Sequence, residues 1–314
     1  MGCARRQAQR RRQLRQRPIK LRAEVRGRPA QPAASIQLRE ATSVPVENPG
    51  ASTGRHNQVI DEASTIARLR AAGCVFAEDE ARLLRGQADT PERLEEWVER
   101  RTAGEPLETI LGWAEFAGLR MQIEANVFVP RRRTEFLVTV AERQLRPHAV
   151  VLDLCCGCGA VGAALATRVR GLQLHAVDLD PRAIKCARDN LPPSAHLYVG
   201  DLYQGLPAGL RQRVDVIVAN APYVPTAEIA YMPTEARDHE PRLALDGGID
   251  GVELHRRIAE DANDWLRPGG WLMIETSGIQ VAATTNAVIA GGLAVHCETD
   301  DELEATVVVG TRAS

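Results

Sequence analysis

In residues 56–103, hydrophobic positions recur every three or four residues, as they do on one face of an amphipathic helix. This pattern predicts three short helices. The first ends at Gly73, the second covers residues 78–84, and the third begins with Thr90 as N-cap and Pro91 behind it. Together they predict a small helical domain over residues 56–111.

The pattern changes to alternation in residues 112–133, where Leu119, Met121 and Ile123 fall on one face of a predicted strand. Gly118 supplies a turn residue between two such runs, which is typical of a β-hairpin. We expect this hairpin to link the helical domain to the rest of the chain.

From residue 134 onward, strand-like and helical runs alternate. Short apolar runs predict strands at 150–154, 174–177, 196–199, 214–219 and 271–275, and a closing hairpin at 293–298 and 305–310. Helical spacing predicts helices at 134–145, 160–169, 181–191 and 252–266. Such alternation is typical of an open, mostly parallel α/β sheet with helices on both faces. We expect residues 134–314 to form this α/β domain.

Charge is distributed unevenly along the 314 residues, although the net charge is only -2. Residues 1–55 carry 13 Arg and Lys against 3 Glu, so the remainder has a net charge of -12. An acidic body argues against a nucleic-acid surface, because contacts to phosphate supply most non-specific affinity. The Arg-, Pro- and Gln-rich composition of residues 1–55 predicts a basic disordered tail. Three interpretations of this tail are open: an arm in weak contact with RNA, a solvated extension, or sequence that lies upstream of the true start of translation.

Seven cysteines without framework spacing predict reduced thiols and a cytoplasmic protein. Cys155, Cys156 and Cys158 lie close together, but a tetrahedral metal site needs a second Cys or His pair at ligand spacing. No such pair stands out, so we expect no metal. The most apolar late stretch, residues 287–295, is half the roughly 20 residues of a spanning helix, so we expect no membrane association.

The turn after the first predicted strand of the sheet has the composition of a binding loop. Residues 153–160 read Asp-Leu-Cys-Cys-Gly-Cys-Gly-Ala. Ligands bind at the carboxyl ends of strands in open α/β sheets, so Asp153, Cys155, Gly157 and Gly159 are candidate binding residues. The glycines let the backbone turn sharply and approach a ligand, with helix N–H groups beyond.

Acids follow the next two strands. Asp178 stands 19 residues after Gly159, where a carboxylate can accept both hydroxyls of a ribose. Asp201, followed by Leu202, can accept from an adenine amino group. A glycine turn and two strand-end acids together predict a nucleoside pocket. A dinucleotide is the alternative, although nothing else in the sequence indicates a pyrophosphate clamp.

Asn220, Ala221, Pro222 and Tyr223 follow the predicted strand at 214–219. The tetrad resembles the Asn-Pro-Pro-Tyr motif of S-adenosylmethionine-dependent methyltransferases that modify planar amide or amino nitrogens. From about residue 60 to 310 the chain is similar, more narrowly, to the HemK/PrmC family of protein-(glutamine-N5) methyltransferases. The matching segments are 104–107, 110–112, 129–131, 134–135, the turn at 153, Asp178, the tetrad, 240–241, 244–248 and 250–251.

The resemblance implies a Rossmann-like class I S-adenosylmethionine-dependent methyltransferase sheet with a small N-terminal helical domain. It implies S-adenosylmethionine as cofactor, held by the binding-loop residues, the strand-end acids and Asn220, and a protein substrate, namely a peptide-chain release factor. The chain departs from the family pattern in three places: Cys155 replaces glycine, Arg132-Arg133 replaces Pro-Asp, and Ala221 replaces the first proline of the tetrad. The cofactor assignment survives these departures, which bear on the identity of the substrate. The chain resembles an outlying branch of the family, with a different protein substrate, at least as much as it resembles the release-factor enzyme.

The tetrad suits chemistry on an amide nitrogen, which is a poor nucleophile because its lone pair is delocalised. Asn220 Oδ1 and the carbonyl of Ala221 can accept hydrogen bonds from its N–H groups. Pro222 keeps Ala221 extended and so aims that carbonyl, and Tyr223 can pack on the planar amide. Positioning of this kind replaces a strong base.

Two other functions remain open. One is methylation of an exocyclic amino group of adenine or cytosine in RNA or DNA, which needs a flipped base and a basic track. The other is a catalytically idle cofactor-binding protein, for which Ala221 is the only support. Glu135, Glu240 and Glu275 are compatible with structural or site roles, and His239 has no partner that the sequence identifies.

The composition of residues 1–55 generates a first prediction. Deleting them should leave the melting temperature and the affinity for S-adenosylmethionine unchanged, because this segment has too little apolar surface to bury. Calorimetry on the full and shortened chains tests this. A large drop in melting temperature would show that the segment docks on the folded body.

Overall fold

The computed structural model describes residues 61–314, so the predicted tail and the start of the first predicted helix lie outside this range. The first elements are α1 (Glu62–Ala71), α2 (Ala77–Gln87), α3 (Pro91–Thr102) and α4 (Leu107–Leu111). The Thr90 hydroxyl accepts a hydrogen bond from the Arg93 N–H at 3.1 Å, so the predicted cap is confirmed. Helix α4 escaped sequence prediction because its 5 residues are too few to show helical periodicity.

The helices pack around a core of their own, formed by Leu69, Ala77, Ala81, Leu84, Leu94, Val98 and Ile110. One ion pair is buried beside it: Arg101 contacts Glu80 at 2.6 Å. Arg101 also contacts Glu235 at 2.6 Å, which ties α3 to a segment more than a hundred residues later in the chain.

A tight hairpin follows, formed by β1 (Trp113–Phe116) and β2 (Leu119–Gln122) in antiparallel register. Ala117 and Gly118 both have positive φ, the geometry of the two-residue turn that suits twisted hairpins. Glu135 accepts a hydrogen bond from the Ala117 N–H at 3.0 Å, which gives Glu135 a structural role. The hairpin prediction is confirmed, but its strands end at Gln122 and the remaining linker residues are irregular.

The rest of the described chain forms the predicted α/β sheet. Its strands are β3 (Val150–Leu154), β4 (Gln173–Asp178), β5 (His196–Val199), β6 (Val214–Ala219), β7 (Leu266–Thr276), β8 (Ala294–Asp300) and β9 (Ala305–Thr311). They lie in the order β5-β4-β3-β6-β7-β9-β8. The first five in this order are parallel, and β9 lies antiparallel between β7 and β8. The strand order reverses at β3 and β6, which is where open sheets of this class bind ligands.

Helices cover both faces of the sheet, as the alternation predicted. The helices are α5 (Glu135–Glu142), α6 (Ala160–Arg168), α7 (Pro181–Asn190), α8 (Thr234–His239), α9 (Glu253–Trp265) and α10 (Val281–Ala290). Along β3, Val151 packs with α5, α6 and α7, whereas Leu152 packs with α9 and α10 on the opposite face. Among helices of residues 61–314, none is long and apolar enough to cross a bilayer.

The structure corrects the predicted start of β7. Its pairing with β6 begins at Leu266, five residues before the predicted start, and the register shifts between Val214 and Val216. Pro268, Gly269 and Gly270 occupy the irregular stretch of β7, and their composition hid it from pattern analysis. Helices α8 and α10 were also missed.

Gly159 connects the turn after β3 to α6. Its φ is +82°, and a Cβ on it would lie 3.0 Å from Leu191 Cγ and 3.2 Å from Ala187 Cβ. Gly86 provides a contrast, because it is exposed within α2 and a Cβ there would meet nothing within 4 Å. Because Gly159 has no side chain, α7 and the residue that follows it, Leu191, can pack closely against this turn.

We predict opposite effects of alanine at these two glycines. Gly159→Ala should lower the free energy of unfolding by about 2 kcal/mol, because it combines an unfavourable φ with overpacking. Gly86→Ala should raise it by about 0.5–1 kcal/mol, because alanine favours a helix. Urea unfolding of both variants measures the difference. Equal effects of the two substitutions would contradict the tight packing at Gly159.

Candidate active site

A cavity of about 500 Å³ opens at the carboxyl ends of β3, β4 and β6. Most of the sequence-predicted site residues line it: Asp153, Cys155, Gly157, Asp178, Asp201, Leu202, Asn220, Ala221, Pro222 and Tyr223. Gly159 is the exception, because it faces α7 and Leu191. The fold therefore brings the predicted nucleoside pocket and the tetrad into one space.

The turn after β3 is tightly curled. Cys155, Gly157 and Gly159 all have positive φ, at 55°, 54° and 82°. Glycine adopts this conformation freely, whereas a residue with a Cβ pays about 1 kcal/mol or more. The Cys156 N–H donates to the Val177 carbonyl at 3.0 Å and anchors the turn to β4. Cys155 is thus a strained residue at a position that the backbone would assign to glycine.

Two carboxylates organise the backbone around this turn. Asp178 accepts hydrogen bonds from the Gly157 N–H at 2.8 Å and the Asp180 N–H at 2.9 Å, one on each oxygen. Asp153 accepts from the Gly162 N–H in α6 at 3.0 Å. Burial raises the pKa of Asp178, and it raises the pKa of Asp153 to about 7.

Asp201 lines the cavity but is only partly available to a ligand. One of its oxygens pairs with Arg257 of α9 at 2.7 Å. The next residue, Leu202, is buried with φ of 54°, so it shapes the wall through its backbone turn and its apolar side chain. This ion pair was not anticipated from the sequence.

The thiols facing the cavity are poor nucleophiles. Burial raises the pKa of Cys155, Cys156 and Cys158, so they stay protonated near neutral pH. Residues 61–314 contain no group of three or more His, Cys, Asp and Glu placed to hold a metal ion. The cavity therefore offers carboxylates, amides and backbone groups.

The tetrad is held in place from both ends. Asn220 Nδ2 donates to Thr134 Oγ1 at 3.1 Å, and Gln280 Nε2 donates to the Tyr223 carbonyl at 2.7 Å. Ala221 is buried between these anchors, and its exposed fraction is 1%. Neither Thr134 nor Gln280 was singled out for this role from the sequence, because each lies more than fifty residues from its partner.

The segment around Gly247 and Gly248 packs against the C-terminal end of the tetrad. Val224 pairs with the segment around Asp246, and the Val224 N–H donates to the Leu245 carbonyl at 2.9 Å. A Cβ on Gly247 would lie 2.7 Å from Tyr223 Cα, so only glycine permits this approach. No reason for the family match at residues 244–248 was apparent from the sequence. The structure shows that this segment packs against the end of the tetrad.

Two further buried acids each pair with an arginine that lines the cavity. Glu275, at the end of β7, is 2% exposed and pairs with Arg133 Nε at 3.2 Å. Burial raises the pKa of Glu275, and the nearby Thr134 hydroxyl and Arg133 guanidinium oppose this shift. Glu240 is also buried and pairs with Arg131 at 2.6 Å. Burial raises the pKa of Glu240 too, against the attraction of Arg131.

Arg133 also reaches Tyr223. One of its nitrogens donates to the Tyr223 hydroxyl, and its Cζ lies 5.6 Å from the centre of the ring. Burial raises the pKa of Tyr223 to about 12, so the phenol stays neutral. The departure from the family pattern at Arg133 thus places a cation between Tyr223 and Glu275.

Comparison with known proteins gives these features a family context. Residues 122–237 match the family model described as "Methyltransferase small domain". Among solved structures, a methyltransferase from Pyrococcus furiosus superimposes with a TM-score of 0.48 and 19% identity, covering 63% of this chain and 90% of that one.

Sequence relatives are closer. The release factor glutamine methyltransferase of Geobacter sulfurreducens is 42% identical, covering 60% of this chain and 66% of that protein. That of Streptomyces coelicolor is 42% identical, covering 62% and 70%. That of Bifidobacterium longum is 34% identical over 277 residues, covering 81% of this chain and 89% of its own length. Because identity of this order extends over most of a relative's length, this chain belongs to the release factor glutamine methyltransferase family.

Proposed function

We propose that this protein transfers a methyl group from S-adenosylmethionine to the side-chain amide nitrogen of a glutamine in a protein, namely a peptide-chain release factor. The observation that carries the proposal is the tetrad at the cavity wall, where Thr134 holds the Asn220 carboxamide and Ala221 is buried beside it. The names of the relatives support the substrate. We expect the reaction in the cytoplasm, where free thiols persist.

The cavity fits the proposed cofactor. Its volume of about 500 Å³ is ample for a nucleoside with an amino-acid tail. A Cβ on Gly157 would meet no protein atom within 4 Å, so a larger residue there would fill cavity space instead. Asp178 and Asp201 offer acceptors for ribose hydroxyls and an amino group, and Asp153 adds a third carboxyl. Acids in a shielded space favour a cationic ligand.

The tetrad positions the amide to be methylated. S-adenosylmethionine, when bound, would supply a methyl group on a cationic sulfur. The C–S bond would break as the N–C bond forms, the sulfur would leave as a neutral thioether, and one amide N–H proton would pass to solvent. Asn220 Oδ1 and the Ala221 carbonyl accept the two N–H groups of the substrate amide and hold its nitrogen in one orientation. Pro222 restricts Ala221 to an extended backbone, which aims the carbonyl. Tyr223, steadied by Arg133, provides a flat surface for the amide plane.

Asp178→Ala should weaken the binding of S-adenosylmethionine by about 1.5 to 3 kcal/mol, since hydrogen bonds to a charged acceptor are lost. Isothermal calorimetry measures the dissociation constant. Asp189→Ala is the matched control, because Asp189 is exposed on α7 away from the cavity lining. Unchanged affinity in a folded Asp178→Ala protein would remove Asp178 from the site, and binding of a nicotinamide dinucleotide would overturn the cofactor.

Asn220→Ala should nearly abolish methyl transfer while sparing most of the affinity for S-adenosylmethionine, because the lost contact orients the nitrogen in the transition state. Mass spectrometry of a release factor incubated with the wild-type enzyme should find one added methylene on a glutamine. The rate should depend little on salt.

The base-methylating alternative makes the opposite prediction. Each phosphate contact adds about 0.9 to the slope of log affinity against log salt on duplex DNA. The discriminating experiment incubates the protein with radiolabelled S-adenosylmethionine and cell extract. If the labelled methyl group were found only in nuclease-sensitive material, with a steep loss of transfer as salt rises, methylation of a base would replace the glutamine proposal. Binding of S-adenosylmethionine without transfer to protein or nucleic acid would indicate an idle binding module.

A further inference from the structure

The Tyr223 residue at the cavity wall is held at both ends. At its backbone, Gln280 Nε2 donates a hydrogen bond to the Tyr223 carbonyl at 2.7 Å. At the tip of its side chain, Arg133 Nη2 donates to the Tyr223 hydroxyl. Tyr223 and Arg133 both line the cavity, so the hydroxyl has a defined place in the space that the substrate enters.

Arg133 is itself anchored by a buried acid. Its Nε donates to Glu275 Oε1 at 3.2 Å, and the Glu275 side chain is only 2% exposed, whereas that of Arg133 is 46% exposed. A long side chain with this exposure has many rotamers, and holding it in one of them costs conformational entropy. The ion pair with a fixed carboxylate restricts Arg133 to the orientations from which it can reach Tyr223.

The direction of the hydrogen bond between Arg133 and Tyr223 follows from the chemistry of the two groups. A guanidinium has N–H donors and no acceptor, so the Tyr223 oxygen must accept. The proton of the Tyr223 hydroxyl is therefore left over, and no acceptor among residues 61–314 takes it. Because the oxygen accepts from a cation, the O–H bond is polarised and the hydroxyl becomes a stronger donor.

The tetrad end of the cavity needs such a donor. In the proposed reaction, Asn220 Oδ1 and the Ala221 carbonyl accept the N–H groups of the substrate amide, and the carboxylates elsewhere in the cavity are acceptors as well. A protein segment that inserts a glutamine here also takes peptide carbonyls out of water. A buried acceptor without a donor weakens binding. The unused proton of Tyr223 can satisfy one of these carbonyls.

We infer that the Tyr223 hydroxyl donates a hydrogen bond to a peptide carbonyl of the substrate protein beside the target glutamine, and that Arg133 and Glu275 are positioning residues for this hydroxyl. The inference rests on the proposed function, which places the substrate amide at the tetrad. It gives a task to the departure from the family pattern at Arg133, because this arginine contacts the tyrosine of the tetrad. The hydrogen bond contributes to recognition of the protein segment.

The first test is Tyr223→Phe in the full chain, which keeps the ring and removes only the hydroxyl. The KM for a release factor should rise by about 3- to 10-fold, whereas kcat and the dissociation constant for S-adenosylmethionine should change by less than about 3-fold. A displaced tetrad would instead lower kcat. Tyr198→Phe is the matched control. The Tyr198 hydroxyl lies 3.0 Å from His175 Nδ1, outside the cavity lining, so KM should be unchanged.

The second test concerns Arg133. Arg133→Met alone would leave Glu275 as an unpaired buried charge, so it is combined with Glu275→Gln, which removes both charges together. This pair of substitutions should also raise KM by about 3- to 10-fold with little change in kcat. In the Tyr223→Phe background the same pair should cause no further rise, because Arg133 acts through the hydroxyl.

An unchanged KM in a folded Tyr223→Phe enzyme would overturn the inference while leaving the proposed function intact. A fall in kcat without a rise in KM would also overturn it, because the substitution would then have displaced the tetrad. A further rise in KM when the Arg133 and Glu275 substitutions are added to Tyr223→Phe would show that Arg133 contacts the substrate itself, which contradicts the positioning role. Absence of transfer to protein by the wild-type enzyme would instead refute the proposed function.

Discussion

The reversal of strand order between β3 and β6 is the constraint on which the site depends. β3 pairs with β4 on one side and β6 on the other, so the loops that leave β3 and β6 separate and open a crevice. Backbone N–H groups in a crevice need acceptors. Asp178 supplies them to Gly157 and Asp180, and Asp153 supplies one to Gly162. These acids therefore shape the loops that they share with a ligand.

The sequence was a good guide to regular structure and a poor one to short or irregular elements. The strands of the sheet and the helices α5, α6, α7 and α9 were foreseen because buried strands and amphipathic helices leave distinct periodicities. Helix α10 was not, because its sequence mixes small, polar and apolar residues without a clear stripe. The early start of β7 was hidden by Pro268 and two glycines, residues that ordinarily mark the end of a strand.

The candidate site shows a similar division. The acids and the tetrad could be found because each follows a strand, and the carboxyl ends of parallel strands converge at one edge. Thr134 and Gln280 could not, because a hydroxyl or an amide acquires its task only when folding brings a distant partner to it. At Arg133 the sequence recorded a departure from a pattern. Only the structure shows that the cation faces Glu275.

The buried carboxyl of Asp153 couples the cavity to the proton concentration of its surroundings. A group whose pKa is about 7 is half protonated at neutral pH. A cation entering the cavity lowers that pKa, because the ionised carboxylate attracts it, and a proton is released to solvent. A ligand that gives up its positive charge in the cavity lets the proton return. The preference of the cavity for a charged ligand, over the neutral molecule left when that ligand loses its charge, therefore weakens as the pH falls.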